Sequence, residues 1–252
     1  MHRPRKRFGQ NFLVDPNTIE DLIKAINPKP TDHIIEIGPG LGALTKPLLE
    51  KLDSLEVIEI DRDLISKLEH FKSQGNPLTI HKSDALKYDF SCSESPRRIV
   101  GNLPYNISTP LIFHLLGYLD SILDMHFMLQ KEVVERICAR SGEKNFGRLS
   151  VMVQAKCNTT NLFEIDPDKF DPPPKVTSAF IRIKANEQQI ISKEMELRFS
   201  EVVRSAFSQP RKTLANNLKT QFSHSQIEKL GIDPSIRPQN IQIEELVKLA
   251  QQ

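Results

Sequence analysis

Four short apolar runs mark the first hundred residues, and each ends on a glycine or a polar side chain: HIIEIG (33–38), LEVIEID (55–61), LTIHKSD (78–84) and RRIVGN (97–102). Between the first three lie GALTKPLLEKL and DRDLISKLEHF, whose apolar residues recur three and four positions apart, as on one face of a helix. Further on, ILDMHFMLQ (122–130) reads as another strand and KEVVERICAR (131–140) as a helix. Strands that are apolar almost throughout, alternating with helices, predict an α/β fold with a parallel sheet covered on both faces. Pro47 lies inside the helix expected after Gly42 and is compatible only with its first turns or with a kink.

Near residue 160 this alternation stops. KVTSAFIRIK (175–184) has period two, the pattern of an edge hairpin strand of the same sheet. Beyond ANEQQ the periodicity is helical in KEMELRFSEVVRSAF, QPRKTLANNLKTQF, SQIEKLG and IEELVKLAQQ. Two domains follow from this shift: residues 1–184 for the α/β part and 185–252 for a small all-helical part.

Composition narrows the picture. At 38% hydrophobic and 26% charged the chain has the balance of a soluble globular protein, and no run is long enough to span a membrane. Cys92, Cys138 and Cys157 are odd in number and form no CxxC pair, so neither a disulfide framework nor a zinc site is expected; a reducing cytoplasm fits. The N-terminus is basic and lacks the apolar stretch of a secretory signal. The net charge is only +2, yet Arg3, Arg5, Lys6 and Arg7 concentrate positive charge ahead of a mildly acidic body. Such an arm suits an anionic partner met at one edge, although on charge alone it could equally be a solvated tail.

The chemistry gathers at the ends of the predicted strands. EIGPGLG (36–42) stands where the first strand turns into the first helix, and Gly38, Gly40 and Gly42 let the backbone turn tightly beside a ligand. Glu59, 21 positions after Gly38, ends the second strand, where a carboxylate can accept both hydroxyls of a ribose. Asp84 ends the third, where it can accept from an adenine amino group. Each feature alone is an ordinary strand end; together they describe an adenosine pocket, for a dinucleotide or for S-adenosylmethionine. The spacing is G-x-G-x-G rather than G-x-G-x-x-G and follows an acidic residue, Glu36. A carboxylate there repels a pyrophosphate and suits a cationic amine and sulfonium, which favours S-adenosylmethionine.

The fourth strand delivers GNLPYNIS (101–108) to the same edge. The exocyclic amine of adenine is a poor nucleophile because its lone pair is delocalised into the ring. If the Asn102 side-chain oxygen and the Leu103 carbonyl accept its two N–H bonds, the nitrogen is drawn towards tetrahedral geometry. Pro104 then sets the turn and Tyr105 offers a stacking face. Positioning and electrostatics supply most of the rate, with no strong base required. In FDPPPKV (170–176), Phe170 sits on a stiff, proline-rich turn and could stack on the base's other face; the plainer alternative is a core phenylalanine.

The segments RFGQNFL, EIGPGLGALT, IEIDRDL, GNLPYNIS, MLQKEVVERI, GRLSVMVQ, FDPPPKVTSAFIRI, AFSQPRKTL and GIDPSIRPQNI follow one another over nearly the whole chain. In that order they resemble the bacterial small-subunit ribosomal RNA adenine dimethyltransferases, the kasugamycin-sensitivity enzymes. The resemblance implies a Rossmann-like S-adenosylmethionine-dependent methyltransferase sheet with a small C-terminal all-helical domain that contacts RNA. It implies transfer of four methyl groups to two adjacent adenosines near the 3′ end of that RNA, late in ribosome assembly. It also implies cofactor contacts from Asn11, Leu13, Gly38, Glu59, Asp84 and Asn102, with Gly40 in the same loop, and a target adenine between Tyr105 and Phe170. Its partner is the small ribosomal subunit. From the charge pattern Arg3, Arg5, Lys6, Arg7, Arg211 and Lys212 are the candidate RNA contacts; no metal, no membrane and a monomer are expected, the last with no physical argument behind it.

Pro210 and Ala215 stand where relatives often carry arginines, which points to a weaker RNA grip rather than another target. Three rival readings remain open. One is a large-subunit adenine methyltransferase of the macrolide-resistance kind; the RKRFGQNFL arm and the GIDPSIRPQNI end argue against it. The second is an assembly checkpoint that acts by binding. The third is a nicotinamide dehydrogenase, which lacks a plausible hydride-side acid or base near the loop.

Overall fold

The computed structural model describes residues 11–73, 77–91 and 95–252. Arg3, Arg5, Lys6, Arg7 and Cys92 lie outside the described residues. By the clustering of its backbone the chain forms two compact units, Met1–Val134 with Thr160–Ala185, and Glu135–Thr159 with Asn186–Gln252.

The first unit begins with a two-residue strand, β1 (Phe12–Leu13), and helix α1 (Pro16–Ile26). Asp15 caps α1 by accepting from the Thr18 N–H at 2.8 Å, Pro16 occupies its first turn, and Asn27 ends it in the left-handed conformation. There follow β2 (Ile34–Ile37), α2 (Thr45–Leu49), β3 (Leu55–Glu59), α3 (Arg62–Ser73), β4 (Leu78–Lys82), β5 (Arg97–Asn102), α4 (Ser108–Leu115), β6 (Ile122–Gln130) and α5 (Lys131–Cys138). Pro47 falls in the first turn of α2, between Lys46 and Leu48, whose N–H groups still donate to the Gly42 and Leu44 carbonyls. After α6 (Arg148–Gln154) come β7 (Cys157–Ile165), β8 (Phe170–Asp171) and β9 (Ser178–Ala185).

Seven strands form one sheet in the order β4-β3-β2-β5-β6-β9-β7, and β1 pairs with β8 in a separate ladder. The pairs β2–β3, β3–β4, β2–β5 and β5–β6 are parallel. The chain therefore runs outward from β2 through β3 to β4, then returns to β2's other side as β5. That reversal opens a crevice beyond the carboxyl ends of β2 and β5, the place where such sheets bind ligands. At the opposite end of β5 the Arg98 guanidinium donates to both carboxylate oxygens of Asp124, to Asp32 and to the Ile26 carbonyl at the end of α1. This buried charge is thereby paired, and it ties α1 to the sheet.

Two expectations are corrected here. The strand read as an edge, β9, is interior: it pairs antiparallel with β6 and has β7 on its other side. Its first four residues, Ser178–Ile181, are all buried, so only its second half alternates. The edge is β7, whose polar CNTTNLFEI hid it from a search for apolar runs. The segment Glu135–Thr159, which the sequence placed in the first domain, belongs to the second unit. Its Phe146, Val151 and Ala155 are buried in one cluster with Phe199, Val202 and Leu246, while its polar residues leave too little apolar surface for a core of its own.

Besides α6 and the C-terminal half of α5, the second unit holds α7 (Glu196–Ala206), α8 (Leu214–Leu218), α9 (His224–Lys229) and α10 (Ile243–Ala250). Among the described residues no helix is long and apolar enough to cross a membrane.

Candidate active site

The crevice holds a cavity of about 340 Å³ lined by Asn11, Leu13, Gly38, Gly40, Glu59, Asp84 and Asn102, all seven expected at a cofactor, and by Leu103, Pro104 and Tyr105. Its lining contains three carboxylates, from Glu36, Glu59 and Asp84, and no Lys, Arg or His among the described residues. Among the described residues a pyrophosphate would find no countercharge here, whereas a ligand with a positive charge and several hydroxyl and amine donors meets acceptors.

Backbone groups of the following turn hold two of these carboxylates. Glu59 Oε1 accepts from the N–H groups of Ile60 (2.9 Å) and Asp61 (2.8 Å), and Asp84 Oδ1 accepts from the Leu86 N–H (3.0 Å). The carboxylate planes are set before any ligand arrives. Burial pushes the Glu59 carboxyl above its ordinary value, against the pull of its backbone donors. Glu36 is more extreme. It is 2% exposed in the middle of the sheet, and burial raises it to about 7 although Thr45 donates its hydroxyl to Oε2 at 2.7 Å.

Gly40 has φ +60°, and a Cβ there would lie 3.1 Å from the Phe12 ring, so the N-terminal strand sits directly against the glycine loop. The same strand reaches the NLPY turn. The Asn102 Nδ2 donates to the Asn11 carbonyl at 3.0 Å, which spends the amide's nitrogen on the backbone and presents its oxygen elsewhere. The turn is fastened by three bonds: Leu103 N–H to the Met128 carbonyl (3.2 Å), Ile107 N–H to the Pro104 carbonyl (3.1 Å), and the Ser108 hydroxyl to the Tyr105 carbonyl (3.1 Å).

Phe170 is placed differently from the expected stacking face. It pairs with Leu13 across the β1–β8 ladder, is 4% exposed, and packs in the core cluster with Leu13, Met128 and Phe180; it does not line the cavity. Arg211 and Lys212 are exposed on the turn between α7 and α8 of the second unit, Pro210 is exposed beside them, and Ala215 packs against that unit's core. Sequence reasoning missed Phe12 and Met128 as lining residues. Phe12 lay between two expected contacts, so the strand's continuity was its only signal; Met128 becomes visible only through its register opposite Asn102.

A family profile described as ribosomal RNA adenine dimethylase matches residues 1–252. The chain belongs to that family. Within the ribosomal RNA adenine dimethylases, the relative named ribosomal RNA small subunit methyltransferase A from Chromobacterium violaceum is 51% identical over 250 residues, covering 99% of this chain and 95% of its own. The protein of the same name from Dechloromonas aromatica is 50% identical over 251 residues, covering 99% and 97%. Among solved structures, a dimethyladenosine transferase from Plasmodium falciparum superposes with a TM-score of 0.81 at 27% identity, covering 94% of this chain and 95% of that one. The 23S rRNA methyltransferase ErmE shares the fold, with a TM-score of 0.76 at 23% identity over 96% and 98% of the two chains. As a ribosomal RNA adenine dimethylase the chain is an S-adenosylmethionine-dependent rRNA dimethyltransferase with a Rossmann-like sheet. Its acidic, donor-seeking cavity fits that cofactor.

Proposed function

We propose that this dimethylase methylates the N6 amines of two adjacent adenosines near the 3′ end of small-subunit ribosomal RNA, in the cytoplasm, as a monomer, late in ribosome assembly. The observation that carries the reading is the Asn102 amide, held at the mouth of an acidic adenosine cavity with its oxygen left for a substrate N–H. Relatives half identical over nearly their whole length and named for the small subunit support the substrate class.

When bound, S-adenosylmethionine supplies an electrophilic methyl group. The rest is done by the chain. Glu59 and Asp84 would accept from ribose hydroxyls and the adenine amine, Gly38 and Gly40 give the backbone room to approach, and Asn11 and Leu13 close the pocket's side. Glu36 faces the cofactor's cationic part. At the target, Asn102 Oδ1 and the Leu103 carbonyl accept the amine's two N–H bonds, which localises its lone pair, and Tyr105 stacks on the base. Phe170, in its buried position, serves this site by bracing Leu13 through the β1–β8 pairing. Arg211 and Lys212, with the basic arm, would meet phosphates.

The decisive assay is methyl transfer from labelled S-adenosylmethionine to small subunits lacking these methyls, with large subunits and fully methylated small subunits as controls. Close to four methyls per small subunit and none on either control is expected; transfer to large subunits would overturn the assignment.

Glu36 makes cofactor binding depend on pH. With its carboxyl near 7, it is neutral in mild acid and anionic above neutrality. Affinity for the cationic cofactor should therefore tighten by about tenfold between pH 6 and pH 8, and Glu36→Gln should flatten the dependence. Stability runs the other way. Between 4.5 and about 7 the folded carboxyl keeps a proton that the unfolded chain has lost, so stability falls as pH rises through that window. Ligand-free Glu36→Gln should then melt above the parent protein at pH 8. Calorimetric titration and thermal melts at both pH values check the pair, and identical pH profiles in variant and parent would dismiss the role.

A further inference from the structure

We infer that Ser178 is a positioning residue for methyl transfer, fixing the direction in which the Tyr105 ring, against which the target adenine stacks, extends from the turn. This rests on the reading of Tyr105 as the stacking ring.

The hydrogen bonds inside the NLPY turn fasten Tyr105's backbone, but they leave its two side-chain torsions unset. The ring's far end is caught instead by Ser178, whose Oγ shares a hydrogen bond with the phenol oxygen at 3.0 Å. Ser178 offers a firm anchor. It is 1% exposed and stands opposite Gln130 at the start of β9, and the preceding residue, Thr177, accepts the Lys131 N–H at 3.0 Å through its carbonyl. The three residues that follow it, Ala179, Phe180 and Ile181, are buried and apolar. A hydroxyl at the head of such a run costs free energy unless it is bonded, and the phenol satisfies it. Burial raises the phenol's pKa, so it stays protonated over the working range and the bond persists.

The geometry has a catalytic consequence. A base stacked on Tyr105 takes its orientation from that ring. The Asn102 oxygen and Leu103 carbonyl can receive both N–H bonds only if the adenine edge arrives in register. A ring free to swing about its Cα–Cβ bond would still bind the base but would present its amine at scattered positions. The loss then falls on turnover rather than on cofactor binding.

The test compares Ser178→Ala, Ser178→Thr, Tyr105→Phe, the Ser178→Ala/Tyr105→Phe double variant and Tyr105→Ala in single-turnover methyl transfer to unmethylated small subunits. Cofactor affinity and melting temperature are measured alongside. Ser178→Ala should lower the rate about tenfold with cofactor Kd unchanged, Tyr105→Phe should do the same, and the double variant should be no worse than either. Ser178→Thr should restore most of the rate. A rate for Ser178→Ala within twofold of the parent, additive losses in the double variant, or a fall in cofactor affinity that tracks melting temperature would each overturn the inference. If Ser178→Ala does not fold, Tyr105→Phe carries the test, because it removes the same bond from the other side. Tyr105→Ala separates the two layers: if it keeps full turnover, the stacking reading itself fails. If it is inactive while Ser178→Ala and Tyr105→Phe are normal, only the role of Ser178 is lost.

Discussion

Asn102→Ala should lower the rate of methyl transfer by about a hundredfold to a thousandfold, the scale set by removing one preorganised hydrogen-bonding group from a reacting centre. Two functions are removed at once. The acceptor proposed for the adenine amine goes, and so does the Nδ2 donation that ties the NLPY turn to the Asn11 carbonyl at 3.0 Å. Asn102→Asp separates them. It keeps an acceptor oxygen at the same reach but cannot donate to Asn11, and it adds a negative charge to a lining that already carries three carboxylates. Its rate should fall between those of the parent and the alanine variant. Cofactor affinity in Asn102→Ala should weaken less than the rate, because Glu59 and Asp84 keep their backbone donors. Single-turnover transfer with labelled cofactor, read beside calorimetric cofactor binding, measures both. A loss of less than tenfold would remove Asn102 from the reacting centre.

Among the described glycines, Gly101→Ala should be the most damaging substitution. A Cβ there would lie 2.5 Å from the Ile37 carbonyl oxygen and 3.2 Å from a Leu103 side-chain carbon. The first of these obstacles is backbone in a parallel pairing, with Glu36 opposite Val100, and it cannot swing aside as a side chain would. Strands β2 and β5 must part at the switch point, which carries the glycine loop on one strand and Asn102 on the other. Destabilisation of about 3 kcal/mol, read as a melting temperature roughly 10 °C lower, is expected together with loss of activity. Gly117→Ala is the matched control. No atom lies within 4 Å of a Cβ at that position, so the variant should behave as the parent does. Chemical denaturation and melting curves of the two variants decide the point, and a Gly101→Ala protein of unchanged stability would show that the sheet yields more easily than its close approach suggests.

How much of this was legible depended on the kind of signal. The strands that form β2, β3, β5 and β6 could be read because a strand buried on both faces has no polar side to show, so its sequence is a run. Glu59 and Asp84 could be read because carboxyl ends of such strands converge on one edge whatever the loops do. The edge strand β7 could not: its exposed face is polar and its pattern resembles a loop. Nor could the helices of the second unit be bounded, since α8 keeps only Leu214–Leu218 of a longer periodic stretch.

The alternation of strands and helices, the glycine loop, the strand-end carboxylates and the Asn-Leu-Pro-Tyr turn are written in the primary structure. All of these are local, written in periodicity or in residues within a few positions of one another. The tertiary structure alone decided that Phe12 covers Gly40, that Asn11 orients Asn102, that Phe170 is buried against Leu13 rather than exposed to a substrate, and that Ser178 holds Tyr105. The partners in these pairs lie 28 to 157 positions apart. A hydrophobic period reports which face of an element leaves water, but not which distant element covers it; that choice is made by the simultaneous burial of many side chains and the pairing of every buried polar group.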